Sequence, residues 1–269
     1  METRGDLTIV ARASHQRHCA EAIASGVRRH GGTVRIQEAT QCSTHHVACW
    51  GWRKGAELRK AGHEVLVMER GYLGDRFAWY SLGWNGLNGN ATFKMPPDVG
   101  PGRFREHHGT LRPWASVDGD YVLIVGQVPG DASLRGLDLL PWYGERAREA
   151  HHKYGKPVLF REHPEARKRG FDRRPAYTES APCEPLEQAL RKAHLVVTYN
   201  SNTGVDAIIA GVPCVAWDAG SMVYGLVPKN VGMRVMPDRT AWAERLAWTQ
   251  WTLTEIARGS PFHASHFQR

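Results

Sequence analysis

A short polar stretch interrupts an apolar run in the C-terminal half of the sequence. Residues 200–204 read Asn-Ser-Asn-Thr-Gly and lie between the strand-like segment 194–199 and a helix-like segment that stops at Gly211. Hydroxyl groups and the unpaired N–H groups at the start of a helix bind phosphate well. The stretch therefore predicts a phosphate- or diphosphate-binding loop made of Ser201, Asn202, Thr203 and Gly204. Simple capping of the helix by one hydroxyl residue is the alternative.

Two more polar segments follow strand-like runs. The first is Arg161-Glu162-His163-Pro164, in which Arg161 is suited to pair with a phosphate and His163 to hydrogen-bond a nucleotide. The second is the segment 126–133, where Gly130 and Ser133 permit a close approach to a ligand. Because the carboxyl ends of parallel strands meet at one edge of a sheet, we expect all three loops to form one pocket. A histidine with a purely structural role is the alternative for His163.

Strand-like and helix-like segments alternate along the chain and favour parallel sheets. Before residue 96 the strand-like runs are 7–12, 33–38, 45–52 and 63–71, and after residue 114 they begin near 121, 157, 194 and 213. A Pro-, Gly- and His-rich segment, 96–114, is predicted to be a linker between the two halves. The pattern predicts an α/β fold with two Rossmann-like, doubly wound domains, 1–112 and 113–269, facing a central cleft. It also predicts a long ordered loop after residue 70 and a closing helix at 242–258.

The composition favours a polyanionic partner and excludes several protein classes. Lys and Arg number 35 against 27 Asp and Glu, which gives a formal net charge of +8. Five cysteines without CxxC spacing indicate neither a disulfide framework nor a zinc site. Charges near the N-terminus and the lack of a long apolar run predict no signal peptide and no membrane span, so we expect a cytoplasmic protein.

The segments QVPGD, REHP and VVTYNSNTGVDAIIAGVPCVAW, in this order, resemble the nucleotide-sugar-binding half of GT-B glycosyltransferases, especially the capsule polysaccharide transferase type. The resemblance covers residues 121–224. It implies that His163 and Pro164 match the family's HP pair and that Ser201, Thr203 and Gly204 match its phosphate loop. Residues 113–269 would then bind the nucleotide sugar, with a UDP-sugar as the expected donor, and 1–112 would bind the acceptor. The resemblance further implies that the helix dipole and basic side chains neutralise the leaving diphosphate, so no metal and no further cofactor is expected.

The segment ERGYLGDRFAWYSLGWNGLNGN resembles phage-encoded glycosyltransferases, including those that act on hydroxymethylated pyrimidines in DNA. This resemblance implies double-stranded DNA with modified bases as the acceptor, in the host cytoplasm if a phage encodes the protein. A Gly- and Trp-rich loop at 71–90 would help to extrude the base. The predicted acceptor contacts are Arg70, Tyr72, Arg76, Trp84 and Asn85.

The transfer reaction needs a general base for the acceptor hydroxyl. We predict Asp75 first, because it follows the strand that ends near Glu69 and so lies at a carboxyl end. Glu69 is the second candidate, and His107 and His108 follow. The alternative for Asp75 is a surface carboxylate paired with Arg76.

Two other functions fit the same sequence. One is a glycosyltransferase with a saccharide acceptor, as in capsule synthesis. The other is a non-catalytic protein that binds nucleotides or nucleic acid on the same scaffold.

Overall fold

The computed structural model describes residues 6–96, 99–115, 118–171, 173–263 and 266. The chain divides into two units. The first unit comprises Met1–Gly109 and Ala243–Arg269, and the second comprises Thr110–Trp242.

The elements in chain order are β1 (Asp6–Val10), α1 (Ser14–Arg29), β2 (Thr33–Gln37), β3 (His46–Trp50), α2 (Trp52–Lys60), β4 (Glu64–Arg70), β5 (Trp79–Trp84), α3 (Arg103–His108), β6 (Tyr121–Val125), α4 (Leu140–Tyr154), β7 (Val158–Arg161), α5 (Pro164–Lys168), β8 (Glu179–Ser180), α6 (Leu186–Lys192), β9 (Ala193–Thr198), α7 (Thr203–Ile209), β10 (Cys214–Ala216), α8 (Thr240–Ala247), β11 (Gln250–Thr252) and α9 (Leu253–Arg258).

The first sheet has the strand order β11-β5-β4-β3-β1-β2. Strands β2, β1, β3 and β4 are parallel, whereas β5 and β11 are antiparallel to their neighbours. The central strands are apolar on both faces, as expected for strands that helices cover on both sides. Helices α1 and α9 pack against one face and α2 against the other. We call the edge where β1, β3 and β4 end the first carboxyl edge.

The predicted long loop after residue 70 is partly wrong, because Trp79–Trp84 forms β5. All six residues of this strand are buried. The strand lies between β4 and β11, and β11 comes from a segment about 170 residues further along the chain. No local hydrophobic period reveals a strand whose neighbour is so distant in sequence. The irregular part of the segment that joins β4 to β5 is limited to residues 71–78.

The C-terminal segment corrects two further predictions. The expected helix at 242–258 is interrupted by β11, and residues 243–269 belong to the first unit rather than to a domain 113–269. Close packing of α9 on α1 explains the return of the chain. A Cβ on Gly26 of α1 would lie 2.1 Å from the main-chain oxygen of Ile256 in α9, so only glycine permits this approach.

The segment predicted as a linker contains an ordered helix. Arg103 of α3 is buried and donates hydrogen bonds to the main-chain oxygens of Ala247 (2.9 Å) and Gln250 (3.1 Å). It also forms an ion pair with Glu255 at 2.6 Å. The guanidinium lies over the ring of Trp251, 4.6 Å from its centroid. These contacts fix α3 to the C-terminal part of the first unit.

The second sheet is entirely parallel, with the order β10-β9-β6-β7-β8. The chain moves from β6 to β7 and β8 on one side, and from β9 to β10 on the other. The strand order therefore reverses between β6 and β9, as in doubly wound nucleotide-binding folds. We call the edge where β6, β7 and β9 end the second carboxyl edge.

Within the described residues, no helix is both long enough and apolar enough to cross a membrane.

Candidate functional site

The loops that follow β6 and β9 meet at the point where the strand order of the second sheet reverses. The side-chain amide of Gln127 donates to Oδ1 of Asn200 at 2.6 Å, and its Oε1 accepts from the main-chain N–H of Asn200 at 3.1 Å. In open α/β sheets, ligands bind outside the carboxyl ends of the strands at such a reversal. The second carboxyl edge therefore has the topology of a ligand site.

The Ser201–Gly204 loop lies at this edge and begins α7. Ser201 donates its main-chain N–H to Oγ1 of Thr198 at 2.8 Å, and its hydroxyl oxygen accepts from the N–H of Thr203 at 3.2 Å. The two hydroxyls of Ser201 and Thr203 are 3.3 Å apart. The Ser201 hydroxyl thus accepts the first N–H of α7, although Asn202 is the N-cap residue, and both hydroxyls lie at the start of the helix, where the helix dipole favours an anion. Capping and phosphate binding are compatible here.

Gly204 has a packing role in addition to its place in the loop. A Cβ at this position would lie 3.1 Å from Cγ2 of Val223 and 3.3 Å from Cγ2 of Thr198. These contacts are tighter than ordinary van der Waals distances, so the first turn of α7 approaches β9 closely because residue 204 lacks a side chain.

A pocket of about 240 Å³ opens at the second carboxyl edge, beside the loops that follow β6 and β7. The predicted residues Gly130 and His163 both line it, together with Glu162. Its walls are mainly apolar and include Leu139, Leu140, Tyr143, Phe160, Ala166 and Phe171. Apolar walls with a few polar groups are typical of small-molecule sites.

His163 and Gly130 occupy this pocket for identifiable local reasons. His163 is the N-cap residue of α5, and its Nδ1 accepts the main-chain N–H of Glu165 at 3.1 Å. Pro164 follows at the first position of the helix, where its missing N–H leaves no hydrogen bond unmade. Gly130 has a φ of +75°, and the space where a Cβ would project is empty. The hydrogen bond from the N–H of Glu165 to Nδ1 fixes the orientation of the His163 ring.

The other predicted donor residues do not line this pocket: the Ser201–Gly204 loop and Pro164 lie outside its lining, and so do Arg161 and Ser133. Arg161 donates to the main-chain oxygen of Glu184 at 2.9 Å, and its neighbour Phe160 takes the pocket face. Successive residues of a strand point to opposite faces, which explains why Arg161 points away. Ser133 enters the site through its main chain, because its carbonyl accepts from Nδ2 of Asn200 at 3.1 Å.

At the first carboxyl edge, both predicted carboxylates are engaged in local hydrogen bonds. Asp75 is exposed, and its Oδ1 accepts the N–H of Phe77 at 2.9 Å in a tight turn. Glu69 is half-buried at the end of β4, and its Oε1 accepts the N–H of Arg70 at 3.0 Å. Asp75 is therefore open to solvent at this edge, whereas Glu69 is only partly so.

Arg70 lies among three aromatic rings at this edge. Its guanidinium carbon is 5.0 Å from the ring centroid of Phe77, 5.3 Å from that of Tyr80 and 5.4 Å from that of Trp50. Its Nη1 also donates to the hydroxyl of Tyr80 at 3.2 Å. Phe77 is 76% exposed, whereas Tyr80 is buried. An exposed ring beside an arginine is suited to stacking and anion contact.

Arg76 is the second predicted acceptor arginine in the loop 71–78. It is exposed, and its Nε donates to the main-chain oxygen of Gly71 at 3.3 Å. The rest of its guanidinium group is therefore open to solvent.

Three of the predicted acceptor residues do not belong with Arg70. Tyr72 is 4% exposed, and burial raises the pKa of its hydroxyl. Trp84 is a core residue of β5, and Asn85 donates to Oε2 of Glu64 at 2.6 Å. Because β5 is antiparallel to β4, Trp84 and Asn85 lie at the start of β4, opposite the first carboxyl edge. Grouping these three with Arg70 in one acceptor site was wrong.

The side chain of Gln250 in β11 forms hydrogen bonds with the main chain of the loop 71–78. This residue was not among those predicted from the sequence. Gln250 is fully buried, and its Oε1 accepts the N–H groups of Tyr72 (2.6 Å) and Leu73 (2.9 Å). Its Nε2 donates to the oxygen of Leu73 and lies 3.2 Å from Nε2 of His108. Burial lowers the pKa of His108 to about 4, so this ring is neutral at pH 7. Nε2 then accepts from Gln250, which removes His108 from the candidate bases.

Comparisons with known proteins locate the fold. No family model matches the sequence, and no curated protein matches it significantly. Among solved structures, the β-Kdo 2,4 transferase of Thermosulfurimonas dismutans KpsC superposes with a TM-score of 0.62 at 13% identity, covering 96% of this chain and 98% of that one. The β-Kdo 2,7 transferase of the same KpsC gives a TM-score of 0.57 at 15% identity, with 94% and 97% covered. The predicted α/β fold with two Rossmann-like domains, as in GT-B glycosyltransferases, is confirmed.

Proposed function

We propose that this protein is a glycosyltransferase that moves a sugar from a nucleotide-sugar donor to a hydroxyl group of an acceptor. One observation carries the proposal. The apolar pocket with Gly130 and His163 lies at the same sheet edge as the Ser201–Gly204 loop, and the Gln127–Asn200 hydrogen bonds connect the two. A nucleotide sugar has a flat base, whose ring faces pack against apolar groups, and an anionic phosphate group, and this edge has groups that suit both.

The donor is assigned to the second unit. The nucleoside occupies the pocket that Tyr143 and Phe160 help to line, and His163 contacts it by hydrogen bonding. The phosphates lie at the start of α7, where the hydroxyls of Ser201 and Thr203 and the helix N–H groups stabilise negative charge. A UDP-sugar is the first donor to test. No metal is required, because these groups act on the leaving phosphate directly.

In the transfer step, the acceptor oxygen forms a bond to the anomeric carbon while the bond from this carbon to the phosphate oxygen breaks. The acceptor proton passes to a general base. We assign this role to Asp75 and, as the second candidate, to Glu69. Asp75 is the better candidate because it is exposed and only one of its carboxylate oxygens accepts the N–H of Phe77.

We propose a hydroxymethylated pyrimidine in DNA as the acceptor. The net charge of +8 and the exposed Arg76 favour a polyanion, and Phe77 beside Arg70 offers a ring for a base. Trp79 and Trp84 are buried in the core, so Phe77 replaces them as the aromatic residue for an extruded base. A saccharide acceptor is the second candidate, since the two KpsC domains with similar folds are named Kdo transferases.

Mass spectrometry of acceptors tests the proposal. The protein is incubated with UDP-, GDP- and CMP-sugars together with either hydroxymethylated DNA or an oligosaccharide, with and without EDTA. A mass gain of one sugar on nucleosides from the DNA supports both the reaction and the DNA acceptor, and a gain on the oligosaccharide alone supports the second acceptor. Loss of transfer with EDTA would contradict the metal-free mechanism.

Thermal stabilisation provides a second readout. If DNA stabilises the protein but none of the nucleotide sugars does, and no acceptor gains mass, the protein binds nucleic acid without catalysis and the proposal is wrong.

A further inference from the structure

Asn200 is buried at the reversal point of the second sheet, directly before the Ser201–Gly204 loop. Its exposed fraction is 4%. A buried amide is costly unless its donors and acceptors are satisfied, so its partners indicate why the chain has asparagine at this position.

The first partner is Gln127, in the loop that follows β6. The two residues form a reciprocal pair: Nε2 of Gln127 donates to Oδ1 of Asn200 at 2.6 Å, and the N–H of Asn200 donates to Oε1 of Gln127 at 3.1 Å. This pair fixes the main chain of Asn200, and therefore the first residue of the loop, relative to β6.

The two hydrogens of the Asn200 side-chain amide have two further partners. Nδ2 donates to the main-chain oxygen of Ser133 at 3.1 Å and to Oδ1 of Asp218, which follows β10, at 3.0 Å. Asp218 is buried, and its Oδ1 also accepts the N–H of Gly220 at 2.9 Å. Arg135 pairs with its other carboxylate oxygen. The amide of Asn200 thus joins the loops that follow β6 and β10 to the end of β9.

Only asparagine supplies this set of bonds. The side chain must accept one hydrogen bond from Gln127 and donate two, to Ser133 and Asp218, which matches the inventory of a primary amide. An aspartate of the same shape would accept but not donate, and it would place a second carboxylate 3.0 Å from that of Asp218. Two buried carboxylates at this distance repel each other.

We propose that Asn200 is a positioning residue that sets the Ser201–Gly204 loop for the phosphates of the donor, through Gln127 and Asp218, without touching the donor itself. This inference rests on the proposed function. A loop that is misplaced by about 1 Å loses much of its interaction with a ligand, which is why supporting hydrogen bonds govern affinity.

A double-mutant cycle tests the inference. Asn200→Asp should weaken binding of the nucleotide about tenfold. Asp218→Ala removes the acceptor of the Asn200 amide and should also weaken binding. The double variant Asn200→Ala with Asp218→Ala should lose less affinity than the product of the two single alanine effects, because both changes break the same hydrogen bond. The probes are UDP, CMP and GDP, titrated by calorimetry below the melting temperature of each variant.

Asn230→Asp is the matched control. Asn230 is exposed in the same unit, and its Oδ1 accepts the N–H of Gly232 at 2.8 Å, a bond that aspartate keeps. Its affinity for the nucleotide should equal that of the wild type. Asn200→Ala is the second variant should Asn200→Asp fail to fold, because it buries no charge. It should also weaken binding about tenfold.

The outcomes separate this inference from the proposed function. If the wild type binds a nucleotide and the folded Asn200 variants bind it equally well, with only their melting temperatures lowered, Asn200 has a structural role and the inference is overturned. Effects of Asn200→Ala and Asp218→Ala that simply multiply in the double variant overturn the coupling to Asp218. If the wild type binds none of the three nucleotides, the donor site itself is contradicted.

Discussion

The two carboxyl edges differ in how their loops are held. At the second edge, side chains of the loops bond to each other, and Gln127, Asn200 and Asp218 form one connected network at a partly open pocket. At the first edge, Gln250 holds the loop 71–78 from behind and the tip of the loop carries the exposed Phe77. A pre-formed edge suits a small ligand of fixed shape, whereas an exposed cationic and aromatic loop suits a larger partner.

This difference matches the proposed division of labour, with the donor in the second unit and the acceptor at the loop of the first. It also makes that division testable, because substitutions at one edge should change one substrate's binding and not the other's.

The largest expected effect concerns the proposed base at the first edge. Asp75→Asn should lower kcat about 100-fold or more, because general-base catalysis contributes at least this factor, while the affinity for the donor is retained. The amide keeps the oxygen that accepts the N–H of Phe77, so the turn survives. Steady-state kinetics with donor titration provides the measurement.

Glu69→Gln is the control for this experiment, because it also keeps the oxygen that accepts a main-chain N–H. A large loss of kcat in Glu69→Gln with near-normal turnover in Asp75→Asn would move the base to Glu69.

At the second edge, Ser201→Ala combined with Thr203→Ala should weaken donor affinity by at least about tenfold to 100-fold, the factor for one lost hydrogen bond to a charged group, which contributes about 1.5–3 kcal/mol. The variant also loses the hydrogen bond from the N–H of Thr203 to the Ser201 hydroxyl, and with it about 1 kcal/mol of stability. Calorimetric titration measures the affinity.

Thr252→Ala is the matched control for the loss of a hydroxyl that accepts a main-chain N–H at the start of a helix. Thr252 caps α9 in the first unit, where its Oγ1 accepts the N–H of Glu255 at 3.2 Å. It should cost similar stability and leave donor affinity unchanged. Equal donor affinity in the wild type and the Ser201/Thr203 variant would contradict phosphate binding by these two hydroxyls and leave them a structural role only.

A smaller effect distinguishes the edges through two exposed phenylalanines. Phe77→Ala should raise the KM for the acceptor several-fold and leave that for the donor unchanged, since an aromatic contact with a base contributes about 1–3 kcal/mol. Phe171→Ala, in the pocket lining, should do the reverse. Tyr177, also exposed, serves as the neutral control. Parallel changes in both KM values would contradict the division between the edges.

The smallest effect is a pH dependence of stability in the first unit. Burial first, and then the charges of His107 and Arg103, lower the pKa of His108 from 6.5 to about 4. Between pH 6.5 and pH 4, His108 is protonated in the unfolded chain but neutral in the folded protein. Protonation therefore favours the unfolded state, and the free energy of unfolding falls as the pH drops from 6.5 towards 4. His108→Asn should show a smaller loss of melting temperature between pH 7 and pH 5 than the wild type. An unchanged slope would contradict the neutral, buried ring.

Several features of the candidate site followed from local sequence. The apolar run 194–199 predicted β9, and the polar residues that come directly after it had to lie at a carboxyl end. The same reasoning placed His163 and Gly130 at that edge, and both line the pocket. The direction of Arg161 was also predictable, because alternation along a strand places it opposite Phe160.

Other features depended on partners far away in the chain. Trp79 and Trp84 looked like loop aromatics, and only pairing with β4 and β11 shows that they are core residues. The sequence around Gln250 did not indicate its role, because that role is to accept the N–H groups of Tyr72 and Leu73, about 180 residues earlier in the chain.

The sequence by itself determined the α/β class, the strands of the second unit and the polar loops at their ends, because side-chain period and turn residues act over a few positions. Tertiary structure decided that residues 243–269 return to the first unit, that β5 is buried, and that Asn200 connects the ends of separate strands. Each of these depends on hydrogen bonds or packing between residues distant in sequence. A local pattern carries no information about which distant partner will satisfy a strand edge or a buried amide.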